Sequence, residues 1–377
     1  MNVLVGQSGG PTAVINSSLY GIVKNADHVL GMVNGIEGFL EGKVIEFDDV
    51  ELLKTTPGAY LGSCRYMLPE DLSDPVYEKL FKRFAEFDID CVLYIGGNDS
   101  MDTVSKLSRC DSDIKFIGIP KTIDNDLIMT DHTPGFGSAA KYVANTVREI
   151  VVDASVYDKP AVTIVEIMGR HAGWLTAASV LARKFKGDAP YLIYLPEVDF
   201  DVDDFVTKVD KLLKEKTAVV VCVSEGIHDS DGNFICGATG VDNFGHKMLS
   251  GAGKYLENLL REKLGCKARS VELNVLQRCS AQNMSLTDQT EAIEAGAFGL
   301  QAAISGKSGY MVAFDNGECK LVDVNEVCNK EKKVPENMII DGCDISQDFI
   351  DYCLPLIKGS VDVPVDENGL NKFCYRS

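Results

Sequence analysis

Short apolar runs recur along this chain, separated by longer stretches whose apolar residues fall three and four positions apart, and that alternation leaves few architectures open. Residues 2–5, 91–95, 115–119, 162–167, 191–195, 218–223 and 270–276 are runs of strand length rich in Val, Ile and Leu. Helix-like segments lie between them, such as 76–87, where Val76, Leu80, Phe81 and Phe84 share one face. Strands that alternate with crossover helices predict an α/β protein with mainly parallel sheets. With 377 residues, 45% of them hydrophobic, the chain can bury a full core as two domains or one large one. Neither a low-complexity linker nor a short internal repeat divides it.

In sheets of this kind ligands bind beyond the carboxyl ends of the strands, so chemistry is expected just after each apolar run. After the first run comes Gly6-Gln7-Ser8-Gly9-Gly10-Pro11-Thr12, and after the second Gly96-Gly97-Asn98-Asp99-Ser100, each opening a helix-like segment. Paired glycines let backbone amides approach a phosphate, and the helix N-terminus adds its positive end. Either loop alone could be a tight turn; two of them argue for a donor with more than one phosphate. Neither reads GxxxxGK[ST] or GxGxxG, so a P-loop or dinucleotide fold is not indicated.

After the third run, Pro120-Lys121-Thr122-Ile123-Asp124-Asn125-Asp126 offers one ammonium and two carboxylates, suited to phosphate neutralisation, proton acceptance or water-mediated metal binding. A capped Asx turn would use some of the same residues. Further on, Glu166-Ile167-Met168-Gly169-Arg170 sets an arginine directly after a strand.

Composition removes several function classes. A net charge of -19 opposes attraction to nucleic acid or an anionic membrane, so an anionic substrate needs a local basic pocket. No run reaches the ~20 apolar residues of a membrane span and no signal segment opens the chain, so a cytoplasmic location is expected. The 12 cysteines are scattered without a CxxC pair and read as reduced thiols, and the five histidines form no zinc motif.

Taken in order, SGGPTAVIN, GSCRY, IGGNDS, PKTIDND, PGFGSA, VEIMGR, VSEG and RSVELNVLQR resemble the phosphofructokinase family over nearly the whole chain up to about residue 310. The resemblance implies the phosphofructokinase fold, two α/β domains with mainly parallel sheets and an active-site cleft between them. It implies a donor-binding domain over 1–138 completed by about 280–330, a sugar-phosphate domain over 139–279, and an extension over 331–377 to which no role is assigned. Asp124 matches the family's proton acceptor for the sugar's 1-hydroxyl, and Asp126 would help hold the base or the magnesium shell. Arg65 and Arg170 match arginines near the donor phosphates, with Gly9, Gly10, Gly97 and Ser100 in the donor loops. Thr122, Ile123, Met168, Gly169, Glu225, Arg269 and Arg278 match positions around the sugar, the last two arginines facing its 6-phosphate. Asn98 stands at the loop position near the magnesium ion, where many members carry Asp. Subunits that pair so that one completes its neighbour's sugar site imply a dimer or tetramer, with neither nucleic acid nor membrane as a partner.

Pyrophosphate-using members of the family carry an Asp and a Lys where ATP users carry glycines, and this chain has Asp99 and Lys121 there. The physics agrees, because a carboxylate where the α-phosphate of ATP would lie adds like-charge repulsion, and an ammonium neutralises a leaving phosphate. Thr103 stands where ATP users have a glycine beside the adenosine. Two departures weaken the expected sugar-phosphate clamp: Ala161 replaces an arginine and Val275 a histidine, which opens the acceptor site to a larger sugar such as sedoheptulose 7-phosphate. Tyr20 and Lys24 stand where nucleotide-regulated members present arginines, which argues against strong nucleotide control. The competing readings are an ATP-dependent enzyme, disfavoured by Asp99 and Lys121, and a non-catalytic sugar-phosphate-binding subunit, disfavoured because such a chain has no use for Asp124.

Overall fold

The computed structural model describes residues 1–48, 50–235, 238–241, 247–249 and 251–376, with the backbone alone for 238–241 and 247–249. The chain separates into two compact α/β units, one formed by Met1–Ala139, Arg278–Glu331 and Lys358–Ser377 and the other by Ala140–Gln277 and Lys332–Ile357. In chain order the strands are β1 (Asn2–Gln7), β2 (His28–Met32), β3 (Val44–Ile45), β4 (Cys91–Gly96), β5 (Lys115–Pro120), β6 (Ala161–Ile167), β7 (Leu192–Tyr194), β8 (Ala218–Ser224), β9 (Ala238–Val241), β10 (Lys247–Leu249), β11 (Lys267–Glu272), β12 (Tyr310–Asp315), β13 (Glu318–Asp323), β14 (Ile339–Ile340) and β15 (Asp344–Ile345).

The first unit holds a seven-stranded sheet in the order β13-β12-β5-β4-β1-β2-β3. Its interior is parallel, and antiparallel β3 and β13 close the edges. Central β1 and β4 are buried along almost their whole length, which is why they read as unbroken apolar runs rather than alternating ones. The second unit holds a four-stranded parallel sheet, β11-β6-β8-β7, and two small hairpins, β9 with β10 and β14 with β15.

Helix Pro75–Glu86 begins one residue before the predicted start, because Asp74 caps it through the Val76 N–H at 2.9 Å and Pro75 occupies its first turn. Helices Ile15–Val23 and Leu286–Ile304 lie so close that a Cβ on Gly21 would sit 2.1 Å from Ile293 O and one on Gly296 2.1 Å from Ser18 O. Small residues at that crossing hold the two helices of the first unit firmly together.

The sequence reading needs one correction in the second unit. The strand expected over 270–276 is Lys267–Glu272, and a 3-10 turn, Asn274–Arg278, follows it. Asn274 adopts a left-handed φ of 45°, which ends the extended run and leaves Val275 47% and Leu276 57% exposed. Cys91 and Cys222 are buried within β4 and β8, where burial pushes both thiols up to about 12 and makes them poor nucleophiles. Among the described residues no helix is long and apolar enough to cross a membrane.

Candidate active site

Chain order reverses around β1, with β2 on one side and β4 then β5 on the other, so the loops leaving β1 and β4 lie side by side. The β1 loop is tied to the segment carrying Arg65: Gly9 N–H donates to Cys64 O at 3.1 Å, Ser8 Oγ donates to the same carbonyl at 3.1 Å, and Ser63 Oγ donates to Gly9 O at 2.6 Å. A buried amide pair lies behind them. Gln7 Nε2 donates to Asn16 Oδ1 at 2.9 Å, and Asn16 Nδ2 donates to Thr56 O at 2.9 Å and Gly58 O at 2.6 Å. Leu61 N–H donates to Gln7 Oε1 and Tyr60 N–H to Asn16 Oδ1, each at 3.0 Å. Every donor and acceptor of the Asn16 amide is used, so residues 56–61 are held at fixed distance from the first loop.

At the second loop only glycine fits position 96, since a Cβ there would lie 1.8 Å from Ser100 Oγ. Gly97 caps helix Asn98–Ser108 with no side-chain hydrogen bond, which leaves first-turn N–H groups available to an anion. Asp99 is exposed on that turn, whereas Ser100 and Thr103 are buried. The Thr103 hydroxyl is engaged with Asp99 O at 3.1 Å.

Lys121 crosses from β5 to the first loop. Its N–H donates to Gly96 O at 2.9 Å and its Nζ to Gly10 O at 2.6 Å. Burial pushes this ammonium down to about 8; Asp124 and Asp126 pull it back up, while Arg278 and Arg65 push it further down. Arg278 Nη1 lies 3.1 Å from where a Cβ on Gly10 would sit, and burial together with Arg65 lowers its pKa. Arg278, expected at the sugar 6-phosphate, thus stands beside the first loop, in the same field as Lys121.

The Asp124 loop is internally braced. Asp124 N–H donates to Thr122 Oγ1 at 3.0 Å, and the Thr122 hydroxyl also bonds the Asp126 carboxylate. Thr122 N–H donates to Pro134 O at 3.2 Å, and Thr133 N–H to the side chain of left-handed Asn125 at 3.1 Å, so residues 122–126 lie against residues 133–135. Ile123 is buried at the centre of the loop. Burial raises the Asp126 carboxyl, and Asn98 Nδ2 reaches it at 3.5 Å.

In the second unit the loop after β6 meets the end of β8. Ser224 Oγ donates to Gly169 O, Gly169 N–H reaches Glu225 Oε1 at 3.5 Å, and Met168 N–H reaches Gln277 Oε1 at 3.4 Å. Burial raises Glu225, and the Gly169 amide and Arg170 oppose that rise. Arg170 Nε is buried without a hydrogen-bond partner among the described residues. Arg269 is not part of this group. It pairs in register with Thr163 of β6 and lies 3.8 Å from Asp153, toward the other end of the sheet. Five residues of strand, about 16 Å, separate Thr163 from Met168.

The family model described as Phosphofructokinase matches residues 2–303. The chain belongs to the phosphofructokinase family. It is 39% identical to the pyrophosphate--fructose 6-phosphate 1-phosphotransferase of Xanthomonas campestris pv. campestris (strain B100), over 99% of this chain and 95% of that protein. It is 38% identical to the protein of the same name from Rhodospirillum rubrum, over 94% of each chain. Among solved structures, the pyrophosphate-dependent phosphofructokinase from Marinobacter aquaeolei matches with a TM-score of 0.88 and 34% identity, covering 99% of this chain and 95% of that one.

For a phosphofructokinase the donor set must also suit a divalent cation. Asn98 Oδ1 and Asp126 Oδ1 are both buried without a hydrogen-bond partner among the described residues, and two hard oxygens suit magnesium, which keeps most of its shell as water and phosphate. No cluster of three or more His, Cys, Asp or Glu side chains that could hold a metal occurs among the described residues. Sequence reasoning missed Gln7, Asn16, Ser63 and Asp288, which position the loops. Asp288 had a local signal, since Ser285-Leu286-Thr287-Asp288 reads as a helix start, and Ser285 Oγ does accept from the Asp288 N–H. Its carboxylate, however, turns away from the cap: it accepts from Gly135 N–H at 2.9 Å, Ser138 N–H at 2.8 Å and Ser138 Oγ at 2.5 Å, and burial pushes it up to about 6.

Proposed function

We propose that this chain transfers a phosphoryl group from pyrophosphate to the 1-hydroxyl of fructose 6-phosphate, reversibly, giving fructose 1,6-bisphosphate and phosphate. One observation carries the reading. The buried ammonium of Lys121 lies on the Gly10 carbonyl, with Arg65 and Arg278 close enough to act on it and with the Asp99 carboxylate exposed on the neighbouring helix turn. Three cations suit a compact tetra-anion, and the carboxylate disfavours a third phosphate.

Asp124 accepts the proton of the 1-hydroxyl as its oxygen attacks the near phosphorus; the new O–P bond forms while the bridging P–O bond breaks, and phosphate leaves with the bridging oxygen. Lys121, Arg65 and Arg278 offset the charge that accumulates on the leaving phosphate, and the amides after Gly9 and Gly97 align the donor. Magnesium, held by Asn98 and Asp126 oxygens, would neutralise donor oxygens and add to the same electrostatic stabilisation. Met168, Gly169, Arg170 and Glu225 would hold the sugar, with Glu225 accepting from its hydroxyls. The distance of Arg269 from Met168 supports a dimer or tetramer in which this arginine serves the neighbouring subunit's 6-phosphate.

The donor assay tests the proposal. With magnesium and fructose 6-phosphate, pyrophosphate supports turnover and ATP does not; Asp99→Gly admits ATP weakly, and Lys121→Gly damages the pyrophosphate reaction. Because both side chains act on one donor, the double variant departs from additivity. Efficient ATP use by the wild-type chain, with no pyrophosphate activity in either direction, overturns the reading.

A further inference from the structure

We infer that Asp288 is a positioning residue for phosphoryl transfer, tying the start of helix Phe136–Ala154 to helix Leu286–Ile304 and so fixing the strip of chain on which the Asp124 loop rests. The carboxylate is 2% exposed, and its two oxygens take three donors from residues 135–138. Ser138 Oγ in turn accepts from Ser285 N–H at 3.1 Å, which closes a ring between the two helix starts. Its own helix is anchored by the close crossing at Gly21 and Gly296.

From this anchor the path to the reacting atoms is short. Gly135 takes a φ of 110° and bridges Thr122, and a Cβ on it would sit 2.6 Å from Thr12 Cγ2 and 3.1 Å from Thr122 O. Only glycine fits between the donor loop and the Asp124 loop. A carboxylate satisfies three donors at once; an isosteric amide presents its own N–H groups to them. Losing the carboxylate therefore frees residues 133–138 to shift, and Asp124 shifts with them through Thr122 and Asn125. Displacement of a proton acceptor by about 1 Å costs on the order of 10²-fold in rate.

The inference rests on Asp124 being the proton acceptor, so wild-type turnover with pyrophosphate and with ATP is read first, and a failure of the donor assignment appears there before any variant is compared. Asp288→Asn is then expected to lower kcat about 10- to 100-fold while the KM for pyrophosphate stays within about threefold. In an Asp124→Ala background the same change costs less than about threefold, since a misplaced base is no worse than a missing one. A purely structural role would reduce both backgrounds equally and overturn the inference, as would a folded Asp288→Asn enzyme with unchanged kcat. If Asp288→Asn does not fold, Ser138→Ala decides, because it removes one donor and no charge: a loss of about three- to tenfold in kcat supports the inference, and wild-type kcat overturns it.

Discussion

In the first unit Lys121, Arg65 and Arg278 crowd Asp124 and Asp126, and burial is the largest cause of the depression of Lys121. Among the described residues the second unit brings Arg170 to Glu225, while Ala161 and Val275 stand where the family resemblance implies an arginine and a histidine, and Arg269 lies toward the other end of the sheet. The donor side also has its loops braced from behind, by the Gln7–Asn16 amides on one flank and Asp288 on the other. Fixed, desolvated charges discriminate sharply because they cannot relax toward a wrong ligand, whereas a sparse site discriminates mainly by shape. Donor choice should therefore be rigid in this enzyme and acceptor choice permissive.

The largest effect that sharpens this contrast is at the proposed base. Asp124→Ala is expected to lower kcat by about 10²- to 10⁴-fold, with a much smaller change in pyrophosphate binding. Steady-state kinetics alongside a direct binding measurement would separate the two terms. Near-normal turnover would remove Asp124 from its role.

A second test uses the depressed pKa of Lys121. The ammonium is charged below about 8 and lost above it, so the KM for pyrophosphate is expected to rise by up to about tenfold per pH unit beyond that point. Lys121→Arg stays charged, and its profile should be flatter by the contribution of Lys121 alone, since the ionisation of pyrophosphate is common to both. Stability has the opposite sign. From about pH 8 to 10.5 the unfolded chain keeps a proton that the folded chain has released, so stability from this group rises with pH across that window. Parallel KM profiles for the two proteins would show that the ammonium does not act on the donor.

What was legible in the sequence follows the same division. The central strands announced themselves because burial on both faces makes them continuous apolar runs, and the candidate site residues were read from their place after those runs. Edge and late strands were harder. β2 is five residues with an exposed His28 at its start, and the β12–β13 hairpin was overlooked although Asn316-Gly317, both at positive φ, is a typical two-residue turn signal. The bracing was invisible for a different reason: Asp288 meets Gly135 and Ser138 across 153 and 150 residues, and no local pattern encodes such a contact. Residues 331–377 read as one extension, yet helix Gln347–Leu356 belongs to the second unit while the last segment returns to the first. There Cys374 N–H donates to Thr56 Oγ1 at 2.8 Å and Arg376 Nη1 to Leu61 O at 2.9 Å, beside the amide pair.

The smallest expected effect tests the permissive side. Val275 is half-exposed on the turn before Arg278, so a side chain added there meets solvent rather than packing and can be changed without disturbing the core. Wild-type enzyme is expected to phosphorylate sedoheptulose 7-phosphate at a rate that competes measurably with fructose 6-phosphate. Val275→His puts back the histidine that the family resemblance implies for the sugar phosphate, and a partly solvated contact of that kind changes affinity by about three- to tenfold. The gain should fall on fructose 6-phosphate, whose phosphate ends one carbon sooner, and should leave the KM for pyrophosphate unaltered because the donor side is independently braced. Specificity constants for the two sugars, measured side by side for both proteins, read the ratio directly. A wild-type enzyme inactive on the larger sugar would mean that shape alone already closes the acceptor site, and the contrast between a rigid donor side and a permissive acceptor side would fail.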